Sequence, residues 1–416
     1  MKKISVQLLS LSLLTMPALS ITVPHGSSIA AMIIFILSLI VLINKYPFRL
    51  QLNKREIILI FSLLLFPIVI ACDVFFRELR FHYFGYYLRF ILVIPTFLVL
   101  KVSKINSRTL FVGIIIGAIG AGIIALYQQK ILNMQGNIHG FILKINFGNL
   151  SLLLGMMSLA GLFFLKEVRF KKVFFIVCLM ACLLGIVGSV LSGSRGGWLA
   201  TPFFISLFLM YIPVSKLYKS ISLVISVLIV IGLYYSNAYI QQRVDAVYTN
   251  VSHYLSADKV VDTEMVTQTS TGSRLEMWKA AWLIFKEHPV FGVGSGNYHQ
   301  ALIGKMEAGK VVQMQVFEHA HSEPLHILAI TGMVGFLSYL ILYTGIAYYF
   351  IDVLLTTNNT QEQYLSFLGI MLVGGFFIFG LTNYSFGHQV MVLFFAVMVA
   401  IFAGIISSIE GKGSSI

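Results

Sequence analysis

The sequence predicts an all-α protein that crosses a membrane about twelve times, and three observations carry that expectation. Hydrophobic residues fill 58% of the 416 positions and charged residues only 11%, for a mean hydropathy of +0.89. A soluble domain has no interior able to hide that much apolar surface. The apolar residues also fall in runs of spanning length, near 5–23, 28–44, 56–72, 84–100, 109–127, 147–165, 172–191, 197–213, 218–236, 325–350, 364–382 and 387–408. Lastly, the basic residues are sorted among the connections. Alternate ones hold Lys45, Arg49, Lys54 and Arg55; Lys101, Lys104 and Arg108; Lys166, Arg169, Lys171 and Lys172; and Lys216 and Lys219. The positive-inside rule puts these in the cytoplasm and the less basic connections outside, with only 351–363 uninformative. The formal charge of +13 therefore reads as topology rather than as a nucleic-acid surface.

Taken in order, Lys2, Lys3, an apolar run and Ala18-Leu-Ser20 have the plan of a signal peptide. The same residues also make a first span that stays attached. The fourth run, 84–100, is interrupted by Arg89 and several tyrosines. Cys72, Cys178 and Cys182 are odd in number and lack a metal-ligand pattern; Cys178 and Cys182 are expected to pack within their apolar run. Three regions follow: nine spans in 1–236, one long outer connection at 237–324, and three spans with a short cytoplasmic tail in 325–416.

The long connection begins polar and unpatterned. Its acidic pair Asp262-Thr-Glu264 resembles a metal site only superficially and reads as a solvated loop. From Ser273 to Pro289 the pattern turns helical, with Leu275, Trp278, Trp282 and Phe285 on one face and Glu276, Lys279, Lys286 and Glu287 off it. Pro289, Gly292 and Gly294 end the helix. Two of the three tryptophans lie here, which suits a helix in the membrane interface; an amphipathic helix packed on the bundle fits equally.

The connection closes on Glu318-His-Ala-His-Ser-Glu-Pro-Leu-His326. Ser322 followed by Pro324 signals a helix start, with serine as N-cap and proline in the first turn. His321 then stands just outside a helix N-terminus, where the positive potential favours neutral imidazole over imidazolium. A neutral imidazole accepts a proton, so the position suits a general base; a hydrogen-bonded interfacial histidine is the plainer alternative. His319 and His326 beside it do not have the spacing of a standard zinc site.

Two arginines accompany it. Arg195 sits in Ser192-Gly-Ser-Arg-Gly-Gly-Trp198, where glycines permit close backbone approach and an anion-binding nest, or where one arginine simply meets lipid phosphate. Arg274 follows Thr271-Gly-Ser at the expected helix start, a common place for a surface arginine. Asp73, Arg77, Glu78 and Arg80 form a mixed-charge outer loop that lines the same cavity or is merely solvated.

Together these pieces resemble the O-antigen ligase/polymerase superfamily. The resemblance rests on Arg195 in its glycine turn, on Gly-Ser-Arg274 with the tryptophan helix ending in His288-Pro-x-x-Gly292-x-Gly294, and on His321-Ser322, nine residues, Gly332, two residues and Gly335. It covers 190–340 by motif and the whole chain by span count. It implies a retained first span, a GT-C-like membrane fold and a 237–324 loop in the periplasm with amphipathic helices. It also implies transfer of a polymer from undecaprenyl diphosphate to a sugar hydroxyl of lipid A-core at the inner membrane, without nucleotide sugar, ATP, metal or other cofactor. His321 would be the base, and Arg195 and Arg274 would grip the diphosphate. The residue types suit that chemistry independently, because guanidinium forks hold a departing diphosphate and an imidazole takes the acceptor proton.

Protein O-oligosaccharyltransferases share the donor, the arginines and a similar histidine region, and O-antigen polymerases use the same lipid-linked donor with a growing polymer as acceptor. A lipid or ion transporter also has about twelve spans, but its polar groups gather near the midplane and its halves repeat, unlike the residues here.

Overall fold

The structure, a computed structural model, describes residues 2–45, 51–103, 105, 107–134, 137–162, 169–211, 215, 217, 220, 235, 245 and 270–413. The ninth run (218–236, apart from 220 and 235), the Asp262–Glu264 pair and the basic residues Arg49, Lys104, Lys166, Lys216 and Lys219 lie outside them. Every regular element among the described residues is helical. Seven helices among the described residues are long and apolar enough to cross a membrane: Gly26–Asn44, Lys54–Phe76, Arg108–Lys130, Lys171–Ser192, Glu323–Thr356, Thr360–Thr382 and Gln389–Glu410. The protein is thus a multi-pass membrane protein. It divides into two compact units, the first made of 1–205 with 334–416 and the second of 206–333.

The first unit begins with α1 (Lys2–Ser12), α2 (Thr15–Leu19), α3 (Gly26–Lys45) and α4 (Lys54–Phe76). The N-terminal run expected as one span is broken between α1 and α2. Ser12 Oγ turns back to the Leu9 carbonyl (2.8 Å) and Thr15 Oγ1 to the Ser12 carbonyl (2.6 Å), and Pro17 has no N–H for the carbonyl four residues earlier. The fourth run is likewise three short helices, α5 (His82–Gly85), α6 (Leu88–Leu92) and α7 (Ile94–Lys101). There Arg89 Nη1 takes the Gly85 carbonyl (2.7 Å) and Pro95 starts α7 afresh.

Next come α8 (Arg108–Lys130), α9 (Lys144–Ala160), α10 (Lys171–Ser192), α11 (Arg195–Trp198) and α12 (Ala200–Tyr211). Cys178 and Cys182 are buried in α10 as free thiols, as their place in an apolar run suggested. Later in the chain, α15 (Glu323–Thr356, after α13 and α14 of the second unit), α16 (Thr360–Thr382) and α17 (Gln389–Gly413) complete the bundle, with a 3-10 turn at Ser385–Gly387. Aromatic rings fill its core: Phe66 meets Tyr87 edge-on at 5.1 Å between centroids, and Tyr343 stacks on Phe386 at 5.7 Å.

Polar groups gather at two places in this unit, one at each end of α16. Near its start, Arg55 pairs with Asp352 (3.0 Å) and Glu410 (2.7 Å), and Lys101 Nζ meets Glu56 Oε1 (2.6 Å) and the Gln51 carbonyl (2.7 Å). Glu56 also closes a capping box on α4 with Asn53. Gln361 in the first turn of α16 joins this end by donating to Ser107 Oγ (2.8 Å). Near the far end of α16 neutral groups pair with one another: Asn383 Nδ2 donates to Asn146 Oδ1 (3.1 Å), and the Tyr87 and Tyr384 hydroxyls bond each other.

In the second unit lie α13 (Ser270–Glu287), α14 (Tyr298–Glu307) and the opening turns of α15. Helix α13 starts one turn earlier than Ser273, and its buried face is not the aromatic one. Met277, Ala280, Ala281 and Ile284 are buried, whereas Trp282 is 44% exposed. Glu276, expected off the packed face, is only 1% exposed: its Oε2 accepts the Val312 N–H (3.0 Å) and its Oε1 stands 3.6 Å from Lys279. The two alanines are short enough for a close approach on that face, while Trp282 turns outward and Trp278 and Phe285 stay half-buried.

Candidate active site

His321 stands where the serine–proline signal places it. Helix α15 begins at Glu323, Ser322 precedes it, and the Ser322 carbonyl accepts the His326 N–H (2.9 Å) as an N-cap residue's should. His321 itself has a left-handed backbone (φ 48°), uncommon for any residue with a side chain. Its N–H donates to His319 Nδ1 (3.3 Å), and the two imidazoles meet edge to face at 4.3 Å between centroids. Phe317 covers His321 from another side at 5.6 Å. The half-buried imidazole is thus held at a helix N-terminus by its neighbours.

Beneath it lie groups that sequence reasoning missed. His326 is buried, 6.4 Å from His319 and 5.0 Å from the ring of Tyr298 between centroids. Tyr298 donates its hydroxyl to the Met277 carbonyl of α13 (3.2 Å), and burial pushes its phenol pKa up. A chain of contacts therefore runs from the helix of Arg274 through Met277, Tyr298, His326 and His319 to His321. His326 was visible only as an unlikely zinc ligand, and Tyr298 had no signal at all, because a buried tyrosine is recognised by its partner rather than by its neighbours in sequence. Among the described residues no group of three or more His, Cys, Asp or Glu side chains is arranged to hold a metal ion.

The motif glycines have a common purpose. Helix α15 is interrupted at Gly332 (φ 61°, ψ −157°), and the 289–294 segment lies against the break. Val293 N–H donates to the Ala329 carbonyl (3.0 Å), Gly294 N–H to Ile330 (2.7 Å) and Met333 N–H to Pro289 (2.8 Å). A Cβ on Gly292 would lie 2.3 Å from the Ile330 carbonyl carbon, and one on Gly332 would lie 2.4 Å from that of Val290. Two backbones cross here with no room for side chains, and the broken ladder of α15 finds its partners in the loop.

Arg274 and His321 belong to the second unit, and Arg195 to the first. Arg274 is half-buried in the second turn of α13 rather than at its start, because the helix begins at Ser270. Arg195 is half-buried as the first residue of α11, directly after the glycine-containing turn that ends α10.

Residues 180–340 match a family model described as O-Antigen ligase, a stretch that holds Arg195, Arg274, His321 and the crossing glycines. An "Uncharacterized protein" of Haemophilus influenzae is 26% identical over 385 residues, covering 91% of this chain and 93% of that protein. Through residues 180–340 the chain carries a domain of the O-antigen ligase/polymerase superfamily, whose members are glycosyltransferase-like enzymes.

Proposed function

We propose that this protein is an O-antigen ligase of the bacterial inner membrane, an inverting glycosyltransferase with a GT-C-like bundle of about twelve spans. It moves O-antigen from undecaprenyl diphosphate to a sugar hydroxyl of lipid A-core, in a site facing the periplasm, without metal or nucleotide. Spans one to nine occupy 1–236, the periplasmic loop 237–324, and the last three spans 325–416. The observation that carries the reading is that one O-antigen ligase match encloses all three residues the chemistry calls for.

His321 takes the proton of the acceptor hydroxyl as that oxygen attacks the anomeric carbon. The bond from that carbon to the phosphate oxygen breaks on the opposite face, and undecaprenyl diphosphate leaves with its electrons. Arg195 and Arg274 neutralise the charge that grows on the departing diphosphate. A His321 held by its own turn is consistent with the role of base.

The test is separate replacement of His321, Arg195 and Arg274 by Ala, followed by a gel of extracted lipopolysaccharide and a count of protein in the membrane. Each variant is expected to lose the ladder of long lipopolysaccharide at normal protein level. Full ladders from all three would overturn the reading. Purified protein supplied with lipid-linked glycan and either lipid A-core or an acceptor pilin then identifies the acceptor; glycan appearing on pilin alone would make it a protein O-oligosaccharyltransferase.

A further inference from the structure

We infer that Asn146, Asn149 and Asn383 are positioning residues for Arg195, holding the turn that presents its guanidinium. The inference rests on the reading of Arg195 as a diphosphate-binding group.

The turn is Ser192 to Gly197, and apart from Arg195 it contains only serine and glycine. It is fixed from inside by Ser192 Oγ, which donates to the Ser189 carbonyl (2.7 Å) and accepts the Ser194 N–H (3.2 Å), and by the Arg195 N–H donating to Gly193 (3.1 Å). From outside it meets two helix ends. On α9, Asn149 Oδ1 lies 3.5 Å from Ser194 Oγ and closes on Gly197, where a Cβ would come within 2.2 Å of that oxygen. On α16, Thr382 closes on Gly196, where a Cβ would come within 2.3 Å of its Oγ1.

Asn146 and Asn149 are three residues apart and so share a face of α9. Asn383, next to Thr382, donates to Asn146 Oδ1 (3.1 Å), which ties the two helix ends to each other on either side of the turn. All three asparagines are buried, at 2%, 1% and 2% exposure. Amides so far from water in a membrane protein are retained where they bond something, and here they bond one another and the arginine turn. Arg195 gains from this because a guanidinium fork is selective in direction, so a small rotation of its backbone misplaces both donors at once.

A kcat and KM comparison for the lipid-linked donor tests it, using full-length protein in membranes. Asn383→Ala is expected to lower kcat about tenfold, with normal protein level and melting temperature, because alignment counts most when charge develops on the leaving group. Asn146→Asp, which keeps the accepting oxygen, should lose less than Asn146→Ala; this pair carries the test if Asn383→Ala does not accumulate. In combination with Arg195→Lys, a point charge without a fork, Asn383→Ala should add no further loss. Packing alone would instead multiply the two losses, and that result, or a fully active Asn383→Ala, overturns the inference. A fully active Arg195→Ala would instead remove the diphosphate reading on which it rests.

Discussion

The two polar ends of the first unit solve one problem in different ways. Both must keep hydrogen-bonding groups inside a bundle that has little water to offer them. At the Arg55 end the chain uses full charges: Arg55 with Asp352 and Glu410, and Lys101 with a Glu56 that is only 1% exposed. At the Asn383 end it uses neutral amides and hydroxyls around a single arginine turn. Charges bound to charges clamp helix ends and leave no group to spare for a ligand. Neutral groups around the turn of Arg195 hold its backbone by single hydrogen bonds. On the proposed reading, the difference separates an end that only clamps helices from one that presents an arginine to the donor.

The sharpest way to break this contrast is to remove one ion at the charged end. Lys101→Met leaves the Glu56 carboxylate buried with its ammonium partner gone, which typically costs about 3–5 kcal/mol. A marked fall in melting temperature in detergent is expected, with ligation per folded molecule unchanged. Lys101→Met combined with Glu56→Gln should recover much of the loss, since the lone charge is then gone. An activity defect larger than the loss of folded protein would erase the distinction between the ends.

A smaller effect of opposite character is expected from Gly197→Ala. The added methyl meets Asn149 Oδ1, and crowding of this kind costs about 1–3 kcal/mol. Here activity should fall about tenfold or more while most of the protein stays folded, as measured by ladder formation against protein level.

The smallest effect belongs to an ion pair that water already solvates. Glu287, at the end of α13, meets Lys305 and Lys310, the latter at 2.9 Å, and the Lys305 hydrogen bond first, then that of Lys310, hold its carboxyl at about 2. A depressed carboxyl pKa stabilises the fold above the unfolded value of about 4.3, and the contribution is lost as pH falls through about 2. Glu287→Gln should therefore melt within error of the parent at neutral pH, because exposed pairs contribute little, and the two should converge fully near pH 2. A large neutral-pH difference would show that exposure is a poor guide to which ion pairs matter.

Much of the bundle was legible because α4, α8, α10, α16 and α17 are long apolar runs with polar residues at their borders. Proline alone did not mark the failures: Pro67 lies inside α4, which continues through it. At 12–15 and 85–94 hydroxyl and guanidinium groups also take backbone carbonyls, and hydropathy is blind to that. On α13 the period identified a face correctly but not which side was inside, since large rings and small alanines both count as apolar. His321 was readable because Ser322 and Pro324 are local signals. Tyr298, His326 and the three asparagines were not, because their partners are distant in sequence.

The crossing at Gly292 and Gly332 is stitched by three main-chain hydrogen bonds and no side chain. A joint of that kind is indifferent to most of the amino acids around it. Val290, Phe291 and Met333 are each substantially exposed, and the three bonds use their main chain or that of their neighbours rather than their side chains. Many sequences over this stretch could therefore build the same corner, provided two positions stay without a side chain.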